Sequence, residues 1–346
     1  MRLKRVYGLL LTGVLLAVLP ACQKSRTDEQ GAVKDLTVIF ATTTGLAGDG
    51  YNELILNSVM ESVAAHSGVT VHLLKPDNLS EARSQFGRWK ASADEGKVLI
   101  LCGPEFESLV EGITLEKGRI LLLDSDKTFG EGVSTVLLKR YGGAWLAGAL
   151  MKDFQVLFLK GLDGDRIIDA TSQGIEDGYK ENGGAGFQKY VLSTGYEGLD
   201  MADELFSVLF DRDVVSLPET VTGGLLVPVC GTSRLGAFGF SRFRAYAVVG
   251  VGEDCSPYSD YLPFSLILDL GGIVKEYLSR WVQDSPWPAH ADFGMATGHV
   301  RIGFNERFFT HPLGKMEDWP VSQAAWNALN DEYKDKALEK EADHAY

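Results

Sequence analysis

Short apolar runs alternate with longer amphipathic segments along most of the chain. LTVIFATT (residues 36–43) is followed by the helical periodicity of YNELILNSVMESVAAHSG, then by VTVHLLKP, then by the polar, helix-forming LSEARSQFGRWKASADEG. KVLILCG, a short helical stretch near PEFESLVEGI, and RILLLDSD continue the alternation. Such short apolar runs between amphipathic helices read as strands buried on both faces and joined by crossover helices. The pattern then repeats: VSTVLLK, a helix around YGGAWLAGALMKD, QVLFLKG, IIDATSQGIEDGYKENGG, FQKYVLST, GLDMADELFSVLFDR, GLLVPVCG and AYAVVGVGED. The expectation is an α/β chain of two parallel-sheet lobes with helices on both faces, each lobe carrying a ligand-binding rim at its strands' carboxyl ends. Residues 321–346 form a helix in which Trp326, Leu329 and Tyr333 share one apolar stripe, for packing onto the body or for a partner.

The amino terminus departs from this pattern. In residues 2–22, RLKRVYGLLLTGVLLAVLPAC, three cations precede an apolar run that ends in a small residue and a cysteine. That is an export signal, too short and wrongly flanked for a structural transmembrane helix. Leu19-Pro20-Ala21-Cys22 resembles the bacterial lipobox, which makes residues 1–21 the signal peptide and Cys22 the lipidated first residue of the mature chain; a plain signal with a coincidental cysteine is the alternative. Residues 22–35 are polar and aperiodic, as a tether is, and residues 36–346 make the folded body.

Composition removes several classes of function. The 346-residue chain has a formal charge of −14, about −17 without Arg2, Lys4 and Arg5, so it lacks the basic footprint of a nucleic-acid binder. Beyond Cys22 only Cys102, Cys230 and Cys255 remain, an odd number that makes no disulfide framework; a Cys230–Cys255 bridge and three buried thiols both stay open. The six histidines show no metal-ligand spacing, and neither a metal nor another cofactor is expected. GLDGDRI (residues 161–167) lacks the lysine and serine of a phosphate loop, and no Gly-x-Ser-x-Gly elbow or Cys/His pairing marks a nucleophile. The chain reads as a binding protein, not an enzyme.

Candidate ligand contacts lie just past strand ends. GLAGDGYNE follows the first strand, where Gly45, Gly48 and Gly50 permit a tight turn and close approach of a ligand to the backbone. Asp49 and Asn52 are candidates for ligand contact or for the cap of the next helix. Tyr51 offers a ring to cover the face of a base or sugar while a neighbouring carboxylate accepts hydrogen bonds. Asp124 and Asp126 flank Ser125 at another strand end, one for ligand hydroxyls and the other for solvent. Tyr196, in STGYEGLD, stands at the rim of the second lobe, as the other side of an aromatic clamp or as ordinary packing. Gly223 and Gly224, in PETVTGGLL, bring backbone amides to the ligand or simply make a turn.

Asp49-Gly50-Tyr51-Asn52 after the first strand resembles the Asp-x-(x)-aromatic-Asn signature of the basic membrane protein family of bacterial lipoproteins. ILLLDSD resembles the family's strand ending in an aspartate, at Asp124; YGGAWLAG (residues 141–148) its Leu-Ala-Gly segment; SQGIEDGY (residues 172–179) its phenylalanine-and-glycine helix; and VGVGED (residues 249–254) its Gly-Val-Asp-x-Asp strand end, with Asp254 as the surviving acid. The resemblance implies a fold like that of type I periplasmic binding proteins, with one lobe over about residues 36–139 plus a later crossover segment and the other over about residues 140–262. It also implies a substrate-binding protein of an ABC importer, anchored to a membrane by lipid and facing the periplasm or exterior, that hands a purine nucleoside to a permease. Gly252 replaces the family's first aspartate, and Leu268 and Asp269 occupy the region of its ribose-contacting lysine. The alternative is a sensor or a surface adhesive lipoprotein of the same fold without transport.

Overall fold

The computed structural model describes residues 34–46, 50–66, 68–211, 224–244, 246–310 and 321–346. The signal segment, Cys22, Asp49 and Gly223 lie outside the described residues. In the first lobe, β1 (Lys34–Ile39), β2 (Val69–Leu74), β3 (Lys97–Leu101), β4 (Arg119–Leu123) and β5 (Val133–Leu138) pair in parallel. They are linked by α1 (Tyr51–Ala64), α2 (Leu79–Ala91) and a 3-10 turn, Pro104–Phe106, that runs into α3 (Glu107–Val110). β3 and β4, KVLIL and RILLL, are buried past their first residue, as central strands covered on both faces must be. β2 lies at the sheet edge and stays half exposed.

β1 starts at Lys34, two residues inside the expected tether. The Lys34 ammonium donates to the carbonyls of Trp281 (2.6 Å) and Val282 (2.9 Å) and pairs with Asp284 (2.7 Å). Those carbonyls end a helix, where the backbone dipole favours a cation.

The second lobe opens with α4 (Tyr141–Leu150) and continues through β6 (Gln155–Lys160), α5 (Arg166–Glu181), β7 (Phe187–Val191), α6 (Ala202–Phe210), β8 (Gly224–Val229), α7 (Arg234–Arg244), β9 (Ala247–Val248), β10 (Gly250–Gly252) and β11 (Phe264–Leu268). The strands run parallel in the order β7-β6-β8-β9, and β10 pairs in parallel with β11. Val249, between β9 and β10, donates its N–H to Leu226 (2.8 Å), which joins the two sets. Pro228 sits in β8 beyond this bond, so its missing N–H falls where the β9 ladder has ended. α4 and α5 meet backbone to backbone: a Cβ on Gly148 would stand 2.1 Å from the Ile175 carbonyl, and one on Gly178 1.9 Å from that of Trp145.

The chain passes between the lobes three times. Residues 139–140 lead from β5 to α4, and Asp269 leads back to α8 (Leu270–Val282), which packs on α1. β12 (His290–Phe293) then joins the first sheet beside β5, and residues 294–299 return to β13 (Val300–Phe304), antiparallel to β11. After α9 (Glu306–Thr310), α10 (Gln323–Asp343) lies along α4, with Trp326 fully buried and its indole N–H donating to the Leu150 carbonyl (2.8 Å). Near its end, Glu341 accepts the amide of Met295 in the third crossover. Cys102, Cys230 and Cys255 are buried free thiols, so the Cys230–Cys255 bridge is not made; burial pushes Cys230 up to about 12 and Cys255 to about 11. Among the described residues no helix is long and apolar enough to cross a membrane.

Candidate ligand-binding cleft

The carboxyl ends of β1, β3 and β5 in one lobe face those of β6 and β8 in the other across a cavity of about 450 Å³. Its wall draws on the turns that follow these strands: Ala41, Thr43 and Thr44 after β1, Pro104 and Glu105 after β3, Asp165 and Arg166 after β6, and Cys230 and Gly231 after β8.

Tyr51 is the first residue of α1, after Gly50 at the N-cap, and it lines this cavity. Its hydroxyl donates to Asp124 Oδ2 (2.8 Å), while Asp124 Oδ1 pairs with Arg140 (2.7 Å), which also donates to the Leu138 carbonyl (3.0 Å). Burial, reinforced by the Asp124 charge, holds the Tyr51 phenol well above its usual range. The tyrosine is therefore fixed at its tip, with the ring left to the cavity.

Asp124 differs from the expectation of a ligand contact. Only 1% exposed and absent from the cavity wall, it spends its carboxylate on Tyr51 and Arg140, the latter 4% exposed. Its φ of +59°, uncommon for a residue with a Cβ, turns the chain so that this pairing is made. Asn52 also departs from its expected roles. Fully buried inside α1, it accepts from the Ala41 amide (2.9 Å) and donates to the carbonyls of Ala41 (2.9 Å) and Thr44 (2.8 Å), stapling the loop after β1. Asp254 is exposed, accepts the Ser256 amide (3.0 Å) and does not reach the wall; its neighbour Glu253 instead pairs with Arg234 of the wall (2.6 Å). Tyr196 does stand in the cavity, 46% exposed.

Sequence reasoning missed the arginines. Arg140, Arg166 and Arg234 all line the cavity. Arg166, the first residue of α5, crosses to the other lobe, donating to the Asp124 carbonyl and to Asp126 (3.1 Å), with Glu107 at 3.6 Å. A signal was present: each of the three follows an apolar strand by a few residues, the same rule that picked out Tyr51. Among the described residues no cluster of side chains is suited to a metal ion.

No family model matches the sequence, and no curated protein does. Solved structures do match. An ABC transporter solute-binding protein from Aeropyrum pernix K1 superposes with a TM-score of 0.64 at 13% identity, over 89% of this chain and 90% of that one. The fold is that of type I periplasmic binding proteins. An ABC transporter solute-binding protein from Bacillus halodurans C-125, solved with bound myo-inositol, shares this binding-protein fold with a TM-score of 0.55 at 12% identity, over 80% of this chain and 96% of that one. So does a transcriptional activator of the comK gene from Bacillus halodurans, with a TM-score of 0.58 at 12% identity, over 90% of this chain and 99% of that one.

Proposed function

We propose that the chain is the substrate-binding protein of an ABC importer, held to a membrane outside the cytoplasm by lipid on Cys22, that closes its lobes on a purine nucleoside and presents it to a permease. The observation that carries the reading is the cavity at the carboxyl ends of both sheets, walled by Tyr51 from one lobe and Tyr196 from the other. Its volume of about 450 Å³ falls in the range of small-molecule sites, roughly 300–1,000 Å³. Matches named as ABC transporter solute-binding proteins, one with a bound polyol, support the transport role. Two tyrosine faces suit a planar base, and the wall hydroxyls of Thr43, Thr44 and Thr171 suit ribose hydroxyls.

A sensor or adhesive lipoprotein of the same fold is the second reading. It is favoured by the match to a transcriptional activator and by Leu268, an apolar wall residue in the region of the family's lysine. A thermal-shift screen of the mature protein against nucleosides, bases, sugars and amino acids separates these readings, because a ligand that binds only the folded state raises the melting temperature. A rise with inosine, guanosine or adenosine is expected. A rise with another class replaces the nucleoside, and no rise with any class turns the account to the second reading.

A further inference from the structure

Charge is unevenly matched along the cleft. Each cavity arginine faces a carboxylate: Arg140 faces Asp124, Arg166 faces Asp126 and Glu107, and Arg234 faces Glu253. That leaves two acids on the wall, Glu105 and Asp165, with no ion pair among the described residues. Glu105, in the turn after β3, accepts the Thr42 amide on Oε1 and the Thr42 hydroxyl on Oε2, both at 2.7 Å. Asp165 precedes α5 in the other lobe and uses Oδ1 to accept the amides of Ile167 and Ile168 (both 3.0 Å). The nearby ammonium groups are engaged elsewhere: Lys75 on the carbonyls of Thr42 and Pro76, Lys160 on Asp163 and Asp169.

Tyr196 shares the cavity with both acids; burial, reinforced by the Asp165 and Glu105 charges, pushes its phenol above the usual range. An exposed aromatic face beside two carboxylates of opposite lobes is an arrangement that receives an ammonium group, through the ring's quadrupole and through charge-assisted hydrogen bonds. The two acids repel as the lobes approach, and a cation between them reverses the sign of that interaction. A neutral ligand leaves the repulsion in place, and an anion adds to it.

We propose that the ligand of this cleft carries a protonated amine, received by Tyr196, Glu105 and Asp165, so that the protein selects a cationic small molecule over its neutral and anionic analogues. The inference rests on the cleft being the ligand site and narrows the nucleoside reading: an amino-bearing nucleoside or other small cation binds more tightly there than neutral inosine, guanosine or adenosine, which enter the same cleft more weakly. The test is calorimetric titration of the full mature protein with the amino, neutral and carboxylate forms of one hexose and of one purine nucleoside, at neutral pH, for wild type, Glu105→Gln and Asp165→Asn. Asparagine keeps a capping side chain for α5, and glutamine keeps an acceptor for Thr42. The expected result is a preference of about tenfold or more for the amino form, eroded by about tenfold in each variant. A neutral form that binds wild type as tightly as the amino form, or an amino preference unchanged in both variants, overturns the inference and leaves the cleft as a ligand site. Binding by none of the six probes overturns both the inference and the reading beneath it.

Discussion

The two walls of the cleft are built differently. On the first lobe Tyr51, Asp124 and Arg140 form a chain of bonds ending on a buried ion pair, and Asn52 ties the adjoining loop to β1. On the second lobe Tyr196 is 46% exposed, and Arg166 is partly exposed and reaches across to the other lobe. The tyrosine of the first wall is fixed at its tip before any ligand arrives, whereas that of the second wall is left to engage what enters. Their stability and binding effects should separate accordingly.

Asp124→Ala should break this contrast most severely, because it leaves the Arg140 guanidinium buried without its partner. A loss of about 3–5 kcal/mol in chemical denaturation is expected. A loss under about 1 kcal/mol would mean that the first wall is not held by this pair.

The next effect belongs to the hinge between the walls. Burial pushes the Glu341 carboxyl up to about 7, so the folded state binds its proton more tightly than the unfolded state does. Its contribution to stability is full below the ordinary carboxylate pKa and is lost as the pH rises toward 7. Glu341→Gln should therefore gain stability relative to wild type between about pH 4.5 and pH 7, by about 2 kcal/mol across the window. A flat difference across that window would remove the buried proton from the account.

Tyr51→Phe keeps the ring and removes the hydroxyl that serves Asp124. A cost of about 1.5 kcal/mol in stability is expected, as for a hydrogen bond to a charged group. Tyr196→Ala should leave the stability of the free protein within about 0.5 kcal/mol, since an exposed ring contributes little to folding. Equal losses from both tyrosines would erase the distinction between the walls.

What could be read from the sequence follows the range of the interactions. Strands such as RILLL and KVLIL declare themselves because burial on both faces requires apolar residues throughout. Tyr51 and Tyr196 are legible as cleft residues because position past a strand end is a local property. The duties of Asp124 and Asn52 are not, since each is set by partners distant in the chain or across a loop, Arg140 in one case and Ala41 in the other. In Gly252-Glu253-Asp254 no periodicity says which acid turns toward Arg234; that depends on how α7 packs beside β10.

The most direct measurement of the central claim is thermal unfolding of wild type and Tyr196→Ala with a purine nucleoside in large excess, beside matched samples without it. A ligand at about a hundred times its dissociation constant stabilises by about 2.7 kcal/mol, enough to raise the melting temperature by several degrees. The account expects that rise in wild type and a clearly smaller one in Tyr196→Ala, since losing a stacking face costs about 1–3 kcal/mol of binding. The same rise in both proteins, or none in either with any nucleoside, would contradict it.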